Sequence, residues 1–190
     1  MLAAMGFTAL LFLAVLVALI LWIVRLYNSL IGLKVRSENA WSDIDVQLKR
    51  RYDVIPNLVA TVQGYAVHER TTLQSVIEAR SKAMGAQSVA QKGEAENFLS
   101  GTLKSLFAVA ENYPQLKANE NFLKLQSSLT EIEEVIQESR RYYNAVARDF
   151  NTMLAIFPNN VVAGMLNFKP RDFFQLEVPE TERKAPQVKF

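Results

Sequence analysis

The sequence predicts an all-α protein: a single N-terminal transmembrane helix followed by an elongated antiparallel bundle of three to four long helices. Three observations carry that expectation. The first 24 residues hold no charged side chain. Further along, apolar residues recur at alternating spacings of three and four, the mark of one-sided helices. No sustained apolar–polar alternation of the kind a half-buried strand requires is present.

The opening block, Met1 to Val24, is almost purely aliphatic from Leu10 onward. A helix of ~20 residues crosses the ~30 Å hydrocarbon core, and it satisfies its own backbone polar groups there. Leu10, Leu11, Val15, Leu19, Trp22 and Val24 are the expected anchor residues. Trp22 and Tyr27 suit the headgroup level, where amphipathic rings settle. A cleaved signal peptide would need a basic start and a small-residue cleavage site. Neither is found, so the segment reads as an uncleaved anchor over 1–25, followed by a bundle over 26–180 and a tail over 181–190. Basic residues follow the span (Arg25, Lys34, Arg36) and only the Met1 amine precedes it. That asymmetry places the N-terminus outside and the C-terminal domain in the cytoplasm.

Trp41, Ile44, Leu48, Arg51 and Ile55 form the first stripe after the span. Pro56 is expected to kink or break that helix, because proline lacks the backbone donor and crowds the preceding turn. A second helix is expected from Asn57 to Met84, with Gly64 inside it and Gly85 at its C-terminal exit. Gly85 to Gly93 reads as a loop. A third helix fits Glu94 to Asn112, closed by Pro114. The fourth carries a coiled-coil-like seam from Phe122 through Leu125, Leu129, Ile132, Ile136, Ser139, Tyr143, Val146, Phe150 and Met153 to Phe157. Asn119 or Asn121 suits its N-cap, and Pro158 ends it. A short helix and an extended, aromatic-rich segment packing on the bundle should follow.

Composition narrows the function classes. The chain has 21 basic and 19 acidic side chains and no cysteine. Balanced charge without a basic run interleaved with aromatics disfavours nucleic acid as a partner. Disulfides, thiolate nucleophiles and zinc–thiolate sites are excluded. His68 is the only histidine, and neither H-E-x-x-H nor a Glu-x-x-His pair occurs, so no metal or cofactor is expected. Phosphate-cradling glycine loops and nucleophile elbows are missing. No enzyme and no small-molecule substrate are therefore expected. Asp45–Lys49 and Asp43–Arg50 read either as ordinary charge pairs along one helix or as part of a register-fixing polar network or docking surface. Ile55-Pro56-Asn57-Leu58 reads as a connection or a hinge.

Several segments carry a family resemblance. These are Ala40-Trp41-Ser42-Asp43-Ile44-Asp45-Val46-Gln47-Leu48-Lys49-Arg50-Arg51, Ile55-Pro56-Asn57-Leu58-Val59 and Gly64-Tyr65-Ala66-Val67-His68-Glu69. Arg141-Tyr142-Tyr143-Asn144, Phe157-Pro158 and the terminal Pro186-Gln187-Val188-Lys189-Phe190 extend it. Together they resemble the LemA family of bacterial membrane proteins, over essentially the whole chain. The resemblance implies a helical bundle on a single anchor in the bacterial inner membrane, and it supplies no enzymatic activity. The candidate interaction residues are Trp41, Asp45, Leu48, Arg50, Arg51, Pro56, Asn57, Tyr65, His68 and Glu69. Trp41 and Leu48 are expected as packing anchors; Arg50, Arg51 and His68 are expected as polar contacts. The functional expectation is a scaffold or adaptor with the lipid bilayer, further copies of itself and a membrane protein as partners. The alternative is a regulator coupled through the first helix.

Overall fold

In the computed structural model, the backbone is described for residues 2–175 and the side chains for residues 7–175. Six helices appear among the described residues, and no strand. They are α1 (Leu2–Gln63), α2 (Arg70–Gly85), α3 (Val89–Ala110), α4 (Pro114–Lys117), α5 (Glu120–Ala155) and α6 (Asn159–Met165). The all-helical expectation holds. The described residues divide into two compact units: one takes those up to Ala40 with Ala145–Arg171, the other takes Trp41–Asn144 with the segment from Asp172 to Gln175.

The first unit contains the apolar block. Its 18-residue window of highest hydropathy averages 3.0 and is 0% buried. The helix is therefore long and apolar enough to cross a membrane, and it spends none of that surface on a protein core. Beyond the block, Leu26 and Leu30 form a small buried cluster with Phe150 of α5 and Ala163 of α6. Trp22, Leu33, Met153, Leu154, Val162 and Phe168 pack against it. The chain after α6 is tied down by Asn151, whose side-chain amide donates to the Arg171 carbonyl at 2.8 Å and accepts from its N–H at 2.8 Å. Arg171 in turn pairs with Glu38 at 2.5 Å.

The second unit is an up-down-up-down bundle built from α1, α2, α3 and α5. Its internal contacts fix the directions. Trp41 meets Tyr143 while Arg51 meets Glu133, so α1 and α5 run antiparallel. Asp45 meets Lys92 while Arg51 meets Ser100, so α1 and α3 run parallel. The core is drawn from the stripes in the sequence: Ile44, Leu48, Ile55, Leu58 and Val62 of α1, Leu73 and Val76 of α2, and Leu99, Leu103 and Leu106 of α3. In α5 it takes Phe122, Leu129, Ile132, Ile136 and Tyr143. The long seam is thus satisfied within the chain except at its last member, Phe157, which is exposed.

Of the kink or break expected at Pro56, the break does not occur: the helix runs on to Gln63. A proline at position 56 leaves the Tyr52 carbonyl, four residues earlier, without its helical donor. Arg80 of α2 supplies one, its Nε donating to the Tyr52 carbonyl at 2.7 Å. The connection to α2 falls instead at Gly64–Glu69, so the expected Asn57–Met84 helix is really the end of α1 plus α2. An expected outcome follows for a double-mutant cycle. Arg80→Met should lower the thermal stability of the full chain in mild detergent by about 1–2 kcal/mol, the cost of an orphaned part-buried carbonyl. In a Pro56→Ala background, the restored N–H should remove most of that cost. Additive effects would refute the compensation.

Other boundaries move for local reasons. α3 begins at Val89 rather than Glu94, because Ser88 and Gln91 form a reciprocal cap: Ser88 Oγ accepts from Gln91 N–H and the Gln91 side chain accepts from Ser88 N–H. Gly85 closes α2 without positive φ, and Ala86 is the cap. Gly93 lies inside α3 and not in a loop. A Cβ there would stand 2.5 Å from the Gln175 carbonyl oxygen, so only glycine lets the chain cross at this point. Asn119 caps α5, its Oδ1 accepting from Phe122 N–H at 3.0 Å. After Pro158 the short α6 and the extended segment through Gln175 appear as expected. The tail over 181–190 lies outside the described residues.

Candidate functional site

Within the second unit, the residues that carry the family resemblance gather at four places. The most buried is a charge cluster between α1, α3 and α5. Arg51 sits at a stripe position of α1 and is 4% exposed. Its Nη1 lies 3.1 Å from Glu96 Oε2 and 3.0 Å from Glu133 Oε2, and its Nη2 donates to Ser100 Oγ at 2.8 Å. Tyr52 donates its hydroxyl proton to the other oxygen of Glu96. Burial holds the Glu96 carboxyl above its ordinary 4.5. The Tyr52 hydrogen bond and the Arg51 charge pull it down, Glu133 pushes it up, and Lys92 pulls it down. Burial also raises the Tyr52 hydroxyl, and the Glu96 carboxylate adds to that. A buried guanidinium facing two carboxylates specifies one alignment of three helices, since any slip strands a charge.

The second place is aromatic. Trp41 packs edge-on against Tyr143 at 5.3 Å and against Phe174 at 5.5 Å between centroids. Tyr143 donates to the Asp172 carbonyl at 2.8 Å. Asn144 brackets Phe174, donating to its carbonyl at 3.0 Å and accepting from its N–H at 2.9 Å. Arg140 lays its guanidinium over the Phe174 ring, 5.8 Å from the centroid. Arg140, Tyr143 and Asn144 therefore form a clamp for the extended strap, Asp172–Gln175, whereas Arg141 and Tyr142 of the Arg-Tyr-Tyr-Asn segment are exposed. The third place is the Pro56–Tyr52–Arg80 repair. The fourth is the α1–α2 turn, where Tyr65 accepts from Asn119 at 3.0 Å and Glu69 accepts from Tyr113 at 3.1 Å. Ala66 is fully buried beneath it. Tyr65 and Tyr113 line a cleft of about 290 Å³ with Asn112, Pro114 and Gln115.

Each candidate residue thereby has a place. Leu10, Leu11, Val15, Leu19 and Val24 are exposed on the apolar face of α1, and Trp22 packs partly on the first unit's core. Leu48 is buried in the bundle core, and Trp41 packs on Tyr143 and Phe174. Arg51 is buried, and its polar contacts are made inside the chain. Asp45 reaches Lys92 of α3 at 3.1 Å rather than Lys49 of its own helix. Arg50 is exposed and donates to Gln47 at 3.3 Å. Pro56, Asn57 and His68 are exposed. Glu96, Arg80 and Phe174 were not singled out in the sequence. For Glu96 a signal existed: it continues the Leu99, Leu103, Leu106, Ala110 stripe at the same spacing of three and four. Among the described residues, no group of three or more His, Asp or Glu side chains is placed to hold a metal ion.

The fold and these clusters define an all-helical protein with, among the described residues, one helix long and apolar enough to cross a membrane and a helical bundle whose distinctive residues fasten helices to one another. The chain belongs to the LemA family, whose pattern it matches over residues 40–190. It is similar to Magnetosome protein MamQ 2 of Paramagnetospirillum magneticum, 25% identical over 185 residues, covering 84% of this chain and 68% of that one. Protein LemA of Metamycoplasma hominis is 30% identical over 143 residues, with 73% and 64% covered. Magnetosome protein MamQ of Magnetospirillum gryphiswaldense is 24% identical over 201 residues, with 91% and 74% covered.

Proposed function

We propose that this LemA-family protein is a membrane-tethered scaffold or adaptor. In this reading α1 anchors it in the bacterial inner membrane, the N-terminus lies outside, and the bundle works in the cytoplasm without catalysing a reaction. The observation that carries the reading is the contrast within α1: one block of high hydropathy with no protein cover, then a stripe wholly used in a bundle core. The basic flank of Arg25, Lys34 and Arg36 supports the orientation. The names borne by its relatives are not those of enzymes. Tethering raises the effective concentration of the bundle toward membrane partners and toward further copies. Self-association draws no support from the α5 seam, which is buried within the chain. It rests instead on tethering and on exposed apolar side chains such as Val46, Ile77, Phe98 and Leu123. The continuity of α1 from the apolar block to Gln63 favours one alternative, a regulator that passes a membrane signal along this helix.

Fractionation tests the anchor. The full chain should stay in the membrane pellet after alkaline carbonate. Leu16→Arg, at a cost of about 2.5–3.5 kcal/mol for a mid-span arginine, should increase the extracted fraction severalfold. Protease added outside intact spheroplasts should leave the bundle uncut. Full extraction of the unmodified chain refutes the anchor, and cleavage of the bundle from outside reverses the orientation. Cross-linking in the membrane that yields monomer alone, with no adduct to another protein, refutes the scaffold.

A further inference from the structure

The first unit carries a second apolar surface that its core does not use. α6 is two-sided. Ala163 is 3% exposed and joins Leu26, Leu30 and Phe150 in the buried cluster, with Trp22 and Val162 packed against it. The remaining apolar side chains of α6 and of the turn before it face outward. Phe157 is 81% exposed and Met165 82%, and Ile156, Val161 and Leu166 are each near half exposed. A lone exposed apolar residue is ordinary, but five within eleven consecutive positions form a patch that asks for a partner.

Its location names the partner. Ser29 of α1 donates to Met153 of α5 at 3.7 Å, so α5 ends alongside the first turns of α1 after the apolar block. α6 then packs on the cluster that includes Trp22, two residues before the block's last member, Val24. The Tyr27 ring lies 6.4 Å from that of Phe168, just past α6, tilted at 60° to it. Aromatic rings and the first charge, Arg25, belong at the headgroup level. The patch therefore lies in the same unit as the apolar block, on elements that pack beside its last turns. Charge agrees: this unit holds six basic and two acidic side chains, while the whole chain is nearly balanced. Arg148 and Lys169 are among them and are exposed. Basic residues beside an apolar face suit anionic lipid.

We propose that the α5–α6 turn and α6 are a second membrane contact, a short wedge whose Phe157, Val161, Met165 and Leu166 side chains enter the headgroup–acyl boundary of an anionic bilayer beside the anchor. The proposal rests on α1 spanning that bilayer. The wedge gives the first unit two points of attachment, which fixes its tilt and its rotation about α1 at the membrane surface.

The absence of cysteine allows a clean test. The full chain, reconstituted in vesicles of phosphatidylcholine and phosphatidylglycerol, is labelled with an environment-sensitive dye at single sites: Phe157→Cys or Met165→Cys in the wedge, Leu16→Cys in the span, and Ser128→Cys on an exposed face of the second unit. Lipid spin-labelled near the headgroup end of its acyl chain should quench the wedge labels at least about threefold more than the Ser128 label, as insertion to interfacial depth requires. Quenching deeper in the bilayer at Leu16, with wedge labels no more quenched than Ser128, overturns the wedge and leaves the anchor standing. Failure at Leu16 overturns both. A wedge label that is blue-shifted yet unquenched overturns the proposal in favour of cover by protein, such as a second copy.

Discussion

Arg51→Met is expected to destabilise the bundle by about 3–5 kcal/mol, the cost of leaving buried charge without its partner. Methionine matches the arginine stem in length and apolar character, so packing is largely kept. What is lost is the guanidinium 3.1 Å from the Glu96 carboxylate, and with it the pair to Glu133. The penalty should depend on pH in a determined direction. Burial holds the folded Glu96 carboxyl above 4.5, so the folded state binds its proton more tightly than the unfolded state does. A raised carboxyl contributes stability that is present below the unfolded value and is lost as pH rises through the folded value. Removing Arg51 takes away a pull downward, raises Glu96 further and widens that window. The Arg51→Met penalty should therefore be smaller at about pH 5 than at about pH 8. Arg51→Met/Glu96→Gln should recover part of the loss at the higher pH, because a neutral amide still accepts from Tyr52. Thermal melts of the full chain in mild detergent read all three. Equal penalties at both pH values, or a loss under about 1 kcal/mol, would show that the cluster is solvated rather than buried.

The same residue shows what was legible in the sequence. The α5 seam was readable because each position repeats one simple preference, and the structure buries it nearly throughout; Phe157, beyond the helix end, is the exception at 81% exposed. Arg51 was readable only in part. It stood in an apolar stripe, which is a sign of a buried ion, but its partners lie 45 and 82 residues away on other helices. Local pairing rules consider the nearest opposite charge, and so they joined Asp45 to Lys49 where packing joined it to Lys92. Pro56 shows the same limit. The rule that proline ends a helix describes the orphaned carbonyl correctly, and a guanidinium from another helix answers it. The Ser88–Gln91 cap, by contrast, is fully local, and its Ser-x-x-Gln spacing stands in the sequence itself. The four family-like segments in the second unit resemble a site in sequence, yet in space each fastens one element to another. Such residues identify a family through the alignment of its helices, which is why they disclosed the fold more readily than the role.

Phe174→Ala is expected to cost about 3–5 kcal/mol, as for other fully buried aromatics. The segment around it has no helix or strand to hold it, and its attachment is all side chain and backbone. Asn144 takes both backbone groups of Phe174, Tyr143 takes the Asp172 carbonyl, and Gly93 leaves room for Gln175. The ring itself is 1% exposed and seals the edge of Trp41. Periodicity could not choose between Phe173 and Phe174, because an extended strap on a bundle has no period of its own; the Asn144 bracket sets the register and turns Phe174 inward, leaving Phe173 partly exposed. Phe173→Ala should accordingly cost less than about half as much. Phe174→Leu, which keeps apolar volume but loses the edge-on aromatic contact, should fall between them. If the strap is only a surface trace, the Phe173 and Phe174 substitutions will be equivalent. If the clamp is correct, Asn144→Ala will reproduce part of the Phe174→Ala loss, and combining the two will add little, because releasing the backbone already releases the ring. The strap would then be a closing element of the bundle, and the Trp41 and Tyr143-Asn144 segments would owe their presence to it rather than to a partner.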